Sequence, residues 1–142
     1  MTSAADDRDA IREVMARYCH ALDARRFAEV ARLFAEDGEW TTTYGRARGR
    51  PEIEAQLVSV VPKPGEGPQR KHYITNILIT LADDTASAVS DTLVTRESET
   101  GLIPATGGTC RDRLEKRDGA WLFASQERVH DIVGNMALEN NH

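Results

Sequence analysis

The strongest constraint on this chain is a change of hydrophobic period near its middle. Up to Val60 the apolar residues recur every three to four positions, and from Lys71 onward they fall in long β-branched runs broken by turn residues. Helices first and strands second predict an α+β fold, with helices packed on one face of a curved sheet. Ile11, Val14, Met15, Tyr18, Cys19 and Leu22 make the first helical stripe. Asp6, Asp7 and Asp9 stand before it, where a cap and first-turn acids favour the helix dipole. A second, shorter helix buries Phe27, Val30, Ala31, Leu33 and Phe34, and Asp37-Gly38 stops it. Residues 39–44 read as a short extended piece and residues 45–49 as a turn-rich segment. Pro51 opens a third helix with Ile53, Leu57 and Val60 facing inward.

The prolines and glycines of residues 62–68 mark a loop. Four strands follow, over residues 71–81, 86–97, 109–117 and 120–133. Asp83-Asp84, a long loop over residues 101–108, and the hairpin turn Asp118-Gly119 separate them. Four strands joined in this way suggest an antiparallel meander. A length of 142 residues fits one domain, residues 1–142, with enough chain for a real core.

The formal net charge of -5 argues against nucleic acid, and the basic group Arg111, Arg113, Lys116 and Arg117 is interleaved with Asp112, Glu115 and Asp118. No apolar run has a membrane-spanning length, and the N-terminus does not read as a secretory signal, so the expected location is the cytoplasm. Cys19 and Cys110 lack metal-site spacing and read as free thiols.

Asp23 is the most informative residue. It continues the buried stripe of the first helix, four positions after Cys19, and a carboxylate there needs a partner. The plainer reading is a cap on the next helix. His72 opens the first long strand, and alternation puts His72, Ile74, Asn76 and Leu78 on one face. Two polar groups among apolar ones suggest a pocket wall; the plainer reading is a half-buried structural histidine. His20 falls off its helix stripe, His130 lies near a chain end, and His142 is terminal, so all three are weaker candidates. Nothing in the histidine spacing supports a metal, and no phosphate loop or nucleophile elbow appears.

Taken together, Tyr18…Leu22-Asp23, residues 33–40 (Leu-Phe-Ala-Glu-Asp-Gly-Glu-Trp), residues 72–76 (His-Tyr-Ile-Thr-Asn) and Gly108…Asp112…Arg117-Asp118-Gly119-Ala120-Trp121 resemble the SnoaL-like branch of the nuclear transport factor 2-like superfamily. The resemblance implies a cone-shaped roll of about three helices on a strongly curved, mostly antiparallel sheet, commonly as a homodimer or homotrimer. It also implies a cofactor-independent lyase or isomerase, most simply a dehydratase, in which Asp23 pairs with His72 and Tyr18 assists. Trp40 is implied as a pocket tryptophan. Where relatives often carry an arginine this chain has Gln126, with Arg128 two residues further on the same strand face. The expected pocket lining is Met15, Trp40, Leu57, Ile74, Asn76, Val94, Cys110 and Arg128, which suits a small, mostly apolar substrate. Two alternatives stand beside this reading: a polyketide cyclase-like enzyme whose carboxylate is the base, and a binding or scaffold domain without chemistry.

Overall fold

The computed structural model describes residues 2–63 and 65–135. In chain order the elements are α1 (Ala4–Asp23), α2 (Phe27–Arg32), β1 (Phe34–Thr42), β2 (Gly45–Arg48), α3 (Arg50–Val60), β3 (Arg70–Ala82), β4 (Thr85–Ser98), β5 (Gly101–Arg117) and β6 (Ala120–Val133). Ser3 starts α1: its hydroxyl accepts from the Asp6 N–H at 3.1 Å, and the Asp6 carboxylate accepts from the Ser3 N–H at 3.2 Å. Asp7, one residue on, accepts from Trp121 Nε1 and from Lys116 Nζ, both at 3.1 Å, which ties the first turn to β5 and β6.

All six strands form one sheet in the order β2-β1-β6-β5-β4-β3. β3 to β6 are the antiparallel meander; β1 runs parallel to β6 and antiparallel to β2. This is an α+β fold of three helices on a mostly antiparallel, curled sheet. Register shifts in β1, β3, β4–β5 and β5–β6 bend it. Tyr44, just past β1, and Arg70 of β3 line one hollow, although three strands separate β1 from β3 in the sheet. The inner face is filled at one end and hollow at the other. Tyr18 packs edge-on against Phe34 and Phe123, with centroids 6.4 and 6.0 Å away, beside the buried Ile11, Met15, Ile53, Leu57 and Leu114.

Four local expectations need correction. Phe34 does not belong to the second helix, which ends at Arg32; it starts β1, opposite Phe123. Asp37-Gly38 therefore interrupts a strand, not a helix. Gly38 sits in the register shift, where a Cβ would come within 3.0 Å of the carbonyls of Ala35 and Phe123. Residues 45–48 form β2, paired with the end of β1. The expected loop over residues 101–108 is mostly strand: β5 begins at Gly101 after a tight turn and carries Pro104 past a register shift at Val94/Thr95. Finally, β3 does not keep one alternation. Asn76 has φ 53 and the pairing shifts between Thr75 and Leu78, so His72 and Ile74 face in before the bulge and Ile77, Ile79 and Leu81 after it.

Candidate active site

The end of α1 and the start of β3 meet at the hollow. One oxygen of Asp23 lies 2.6 Å from His72 Nδ1, and the backbone N–H of His72 donates to both carboxylate oxygens at 3.0 and 3.2 Å. A carboxylate only accepts, so the ring proton sits on Nδ1 and Nε2 is the nitrogen left for the hollow that the ring lines. Asp23 does not cap α2; the capping position is Arg26, without a side-chain bond. Burial lowers the His72 pKa below its ordinary value and outweighs the Asp23 hydrogen bond that raises it, while the Arg128 and Arg70 charges lower it further. The neutral ring is thus the resting form at neutral pH.

The hollow is a cavity that opens to solvent at its mouth. Tyr18, Asp23, Trp40, His72, Val94 and Arg128 line it. Trp40 Nε1 donates to Tyr18 Oη at 3.2 Å and to Gln126 Oε1 at 3.1 Å. The same Gln126 oxygen accepts from Arg128 Nε at 3.1 Å, and the Arg128 guanidinium lies 4.4 Å over the Tyr18 ring. Gln126 thus holds Arg128 in place at the hollow. Burial pushes the Tyr18 phenol well above its ordinary pKa despite the cation beside it, so Tyr18 is a neutral hydroxyl.

The expected lining is wrong at five positions. Met15 and Leu57 belong to the filled end of the cone. Ile74 packs against that core, partly buried. Cys110 is fully buried in register behind Arg128, its thiol donating to Asp112 at 3.1 Å. The bulge turns Asn76 outward to an exposed bond with Asp91 at 2.8 Å.

Other lining residues escaped the sequence reading. Thr92, Gly108 and His130 stand in register on β4, β5 and β6 and all face the hollow, with Arg70 at the start of β3. Gly108 is required there, since a Cβ would lie 2.3 Å from the Val129 carbonyl. Asp112 is a buried carboxyl whose pKa burial raises to about 6, against the Cys110 thiol, Arg128 and Gln126 that lower it. The signal for His130 was present: Gln126, Arg128 and His130 alternate on one strand face.

A model of the SnoaL-like domain matches residues 3–127. The chain belongs to the SnoaL-like family. This SnoaL-like protein is similar in structure to one from Catenulispora acidiphila solved in complex with S-DNPA, at 32% identity and TM-score 0.80, covering 89% of this chain and 95% of that one. It is similar to ActVI-ORFA from Streptomyces coelicolor at 25% identity and TM-score 0.78, covering 87% and 96%. An NTF2-like protein with a cystatin-like fold from Novosphingobium aromaticivorans, 24% identical with TM-score 0.82 over 89% and 82%, shares the fold. No curated protein matches the sequence. No described helix of this member is long and apolar enough to cross a membrane.

Proposed function

We propose that this SnoaL-like protein is a cofactor-independent lyase or isomerase acting on a small, mostly apolar organic molecule, with dehydratase-like elimination as its reaction. The 2.6 Å contact between Asp23 and His72 Nδ1 carries the reading. His72 Nε2 takes a proton from the carbon next to an activating carbonyl. Asp23 keeps the ring in the tautomer that leaves Nε2 bare and stabilises the imidazolium that forms. Tyr18, held neutral by burial, hydrogen-bonds the departing hydroxyl or the developing oxyanion, and Arg128 offers positive charge beside it. As the C–O bond breaks, the hydroxyl takes the proton back from the His72 imidazolium and leaves as water.

Both Asp23 oxygens are engaged by His72, which favours histidine over carboxylate as the base. With a β-hydroxy ketone as probe, His72→Ala should lower kcat/KM by about 10²–10⁴-fold without loss of fold. Asp23→Asn should cost less than His72→Gln if histidine is the base, and more if the carboxylate is. The active form is neutral His72, so the rate should fall as pH drops through a midpoint below the ordinary histidine value of about 6.5. Undiminished turnover by His72→Ala would sink this mechanism.

A further inference from the structure

The second histidine of the hollow is set by a different relay. Thr106 Oγ1 lies 3.0 Å from the Ile132 carbonyl oxygen and 3.0 Å from His130 Nδ1. A hydroxyl has one proton, and a carbonyl oxygen has none to give. Both contacts are hydrogen bonds only if Thr106 donates to Ile132 and accepts from His130 Nδ1–H. Thr106 is 4% exposed, so leaving either group unbonded is costly. The relay therefore leaves His130 Nε2 as a bare lone pair, with no hydrogen bond among the described residues.

That nitrogen shares its strand face with a group that can only donate. Arg128, two residues earlier on the same face of β6, brings only donors, and its Nη2 is buried without a hydrogen-bond partner among the described residues. Gly108 stands directly across from His130 and, like it, lines the hollow; the Val129 carbonyl leaves no place there for a side chain. Arg70 and Arg128 act electrostatically on both His72 and His130, so the two imidazoles face one charged space. Burial first, and then the two cations, disfavour a protonated His130 ring against the opposing pull of Asp131, which keeps Nε2 an acceptor.

We propose that His130, fixed in its Nδ1–H tautomer by Thr106, is a specificity-determining residue that accepts a hydrogen bond from a hydroxyl of the substrate, so that the hollow selects hydroxylated apolar molecules over their alkylated or unsubstituted analogues. The inference rests on the hollow being the substrate site, and not on the proton transfer assigned to His72. Thr106 is a positioning residue in this scheme.

Two probes of nearly one shape, β-naphthol and its methyl ether, separate the possibilities. Long-range ¹H–¹⁵N NMR of the full chain at mildly alkaline pH should show His130 with a protonated Nδ1 and a bare Nε2. β-Naphthol should move the Nε2 resonance, and the ether should leave it in place. His130→Phe should weaken β-naphthol about ten-fold and leave the ether unchanged, as expected for one hydrogen bond. Thr106→Val should abolish the fixed tautomer and part of the preference. His130→Phe should cost β-naphthol the same factor in a His72→Ala background, so failure of the elimination chemistry and failure of this proposal are read separately. An Nε2–H tautomer in the free protein, equal losses for both probes in His130→Phe, or naphthol binding no better than its ether would overturn it.

Discussion

Asp112 sits 2% exposed inside the sheet, and burial lifts its pKa from the ordinary 3.8 to about 6. The folded value lies above the unfolded one, so the protonated acid is the form the fold prefers. That preference is complete below 3.8 and is lost as pH rises through about 6. Above that point the buried carboxylate costs about 3 kcal/mol, the shift multiplied by about 1.36 kcal/mol per unit. Asp112→Asn keeps the shape and cannot ionise. In urea unfolding at a series of pH values, the variant should gain on the parent between pH 3.8 and about 6 and run parallel to it outside that window. A difference that does not change with pH would show that Asp112 is not held protonated by its surroundings.

At the level of elements, the bulge in β3 decides what the strand can do twice over. Before it, His72 faces the hollow; after it, Ile77, Ile79 and Leu81 are the ones that pack on the core. Without the extra residue, alternation from His72 would turn Leu78 inward, and Leu78 is 70% exposed. Asn76 makes the switch at φ 53, which an asparagine tolerates and a β-branched residue does not. Asn76→Val should cost about 1–2 kcal/mol in chemical denaturation, whereas Asn76→Gly should stay close to the parent. Equal stability of all three proteins would remove the bulge from the account. The same device explains what the sequence left hidden. Period alone located α1, the meander and the buried stripe that ends at Asp23, because each rests on residues of one phase. It does not reveal the strand start at Phe34 or the outward turn of Asn76, because a bulge changes phase without changing composition, and the glycines and proline of residues 101–108 imitate a loop. The pairing of Asp23 with His72 came from resemblance, since no local pattern reports a contact 49 residues apart. His130 lies near a chain end, yet it shares a strand face with Arg128 and lines the hollow with it.

The molecule as a whole is a cone that is packed at one end and left open at the other, and the open end lowers its stability. Thr92 Oγ1 and Arg128 Nη2, both at the hollow, are buried polar atoms with no hydrogen-bond partner among the described residues. Each carries a desolvation cost that an apolar lining would avoid. Thr92 tests whether that cost is tied to function. It is 7% exposed and lines the hollow in register with Gly108 and His130. Valine has nearly the same shape and keeps the β-branched fit to the strand. Thr92→Val should raise unfolding stability by about 1 kcal/mol, seen as a higher thermal midpoint. It should also weaken β-naphthol more than its methyl ether, because the wall loses one of its few groups able to bond a hydroxyl. A lower midpoint in the variant would mean that Thr92 Oγ1 is bonded in the folded protein. A higher midpoint with unchanged ligand preference would mean that the unpaired hydroxyl serves neither the fold nor the site. The expected pairing of greater stability with poorer discrimination is the pattern of a binding site maintained at the expense of the core around it.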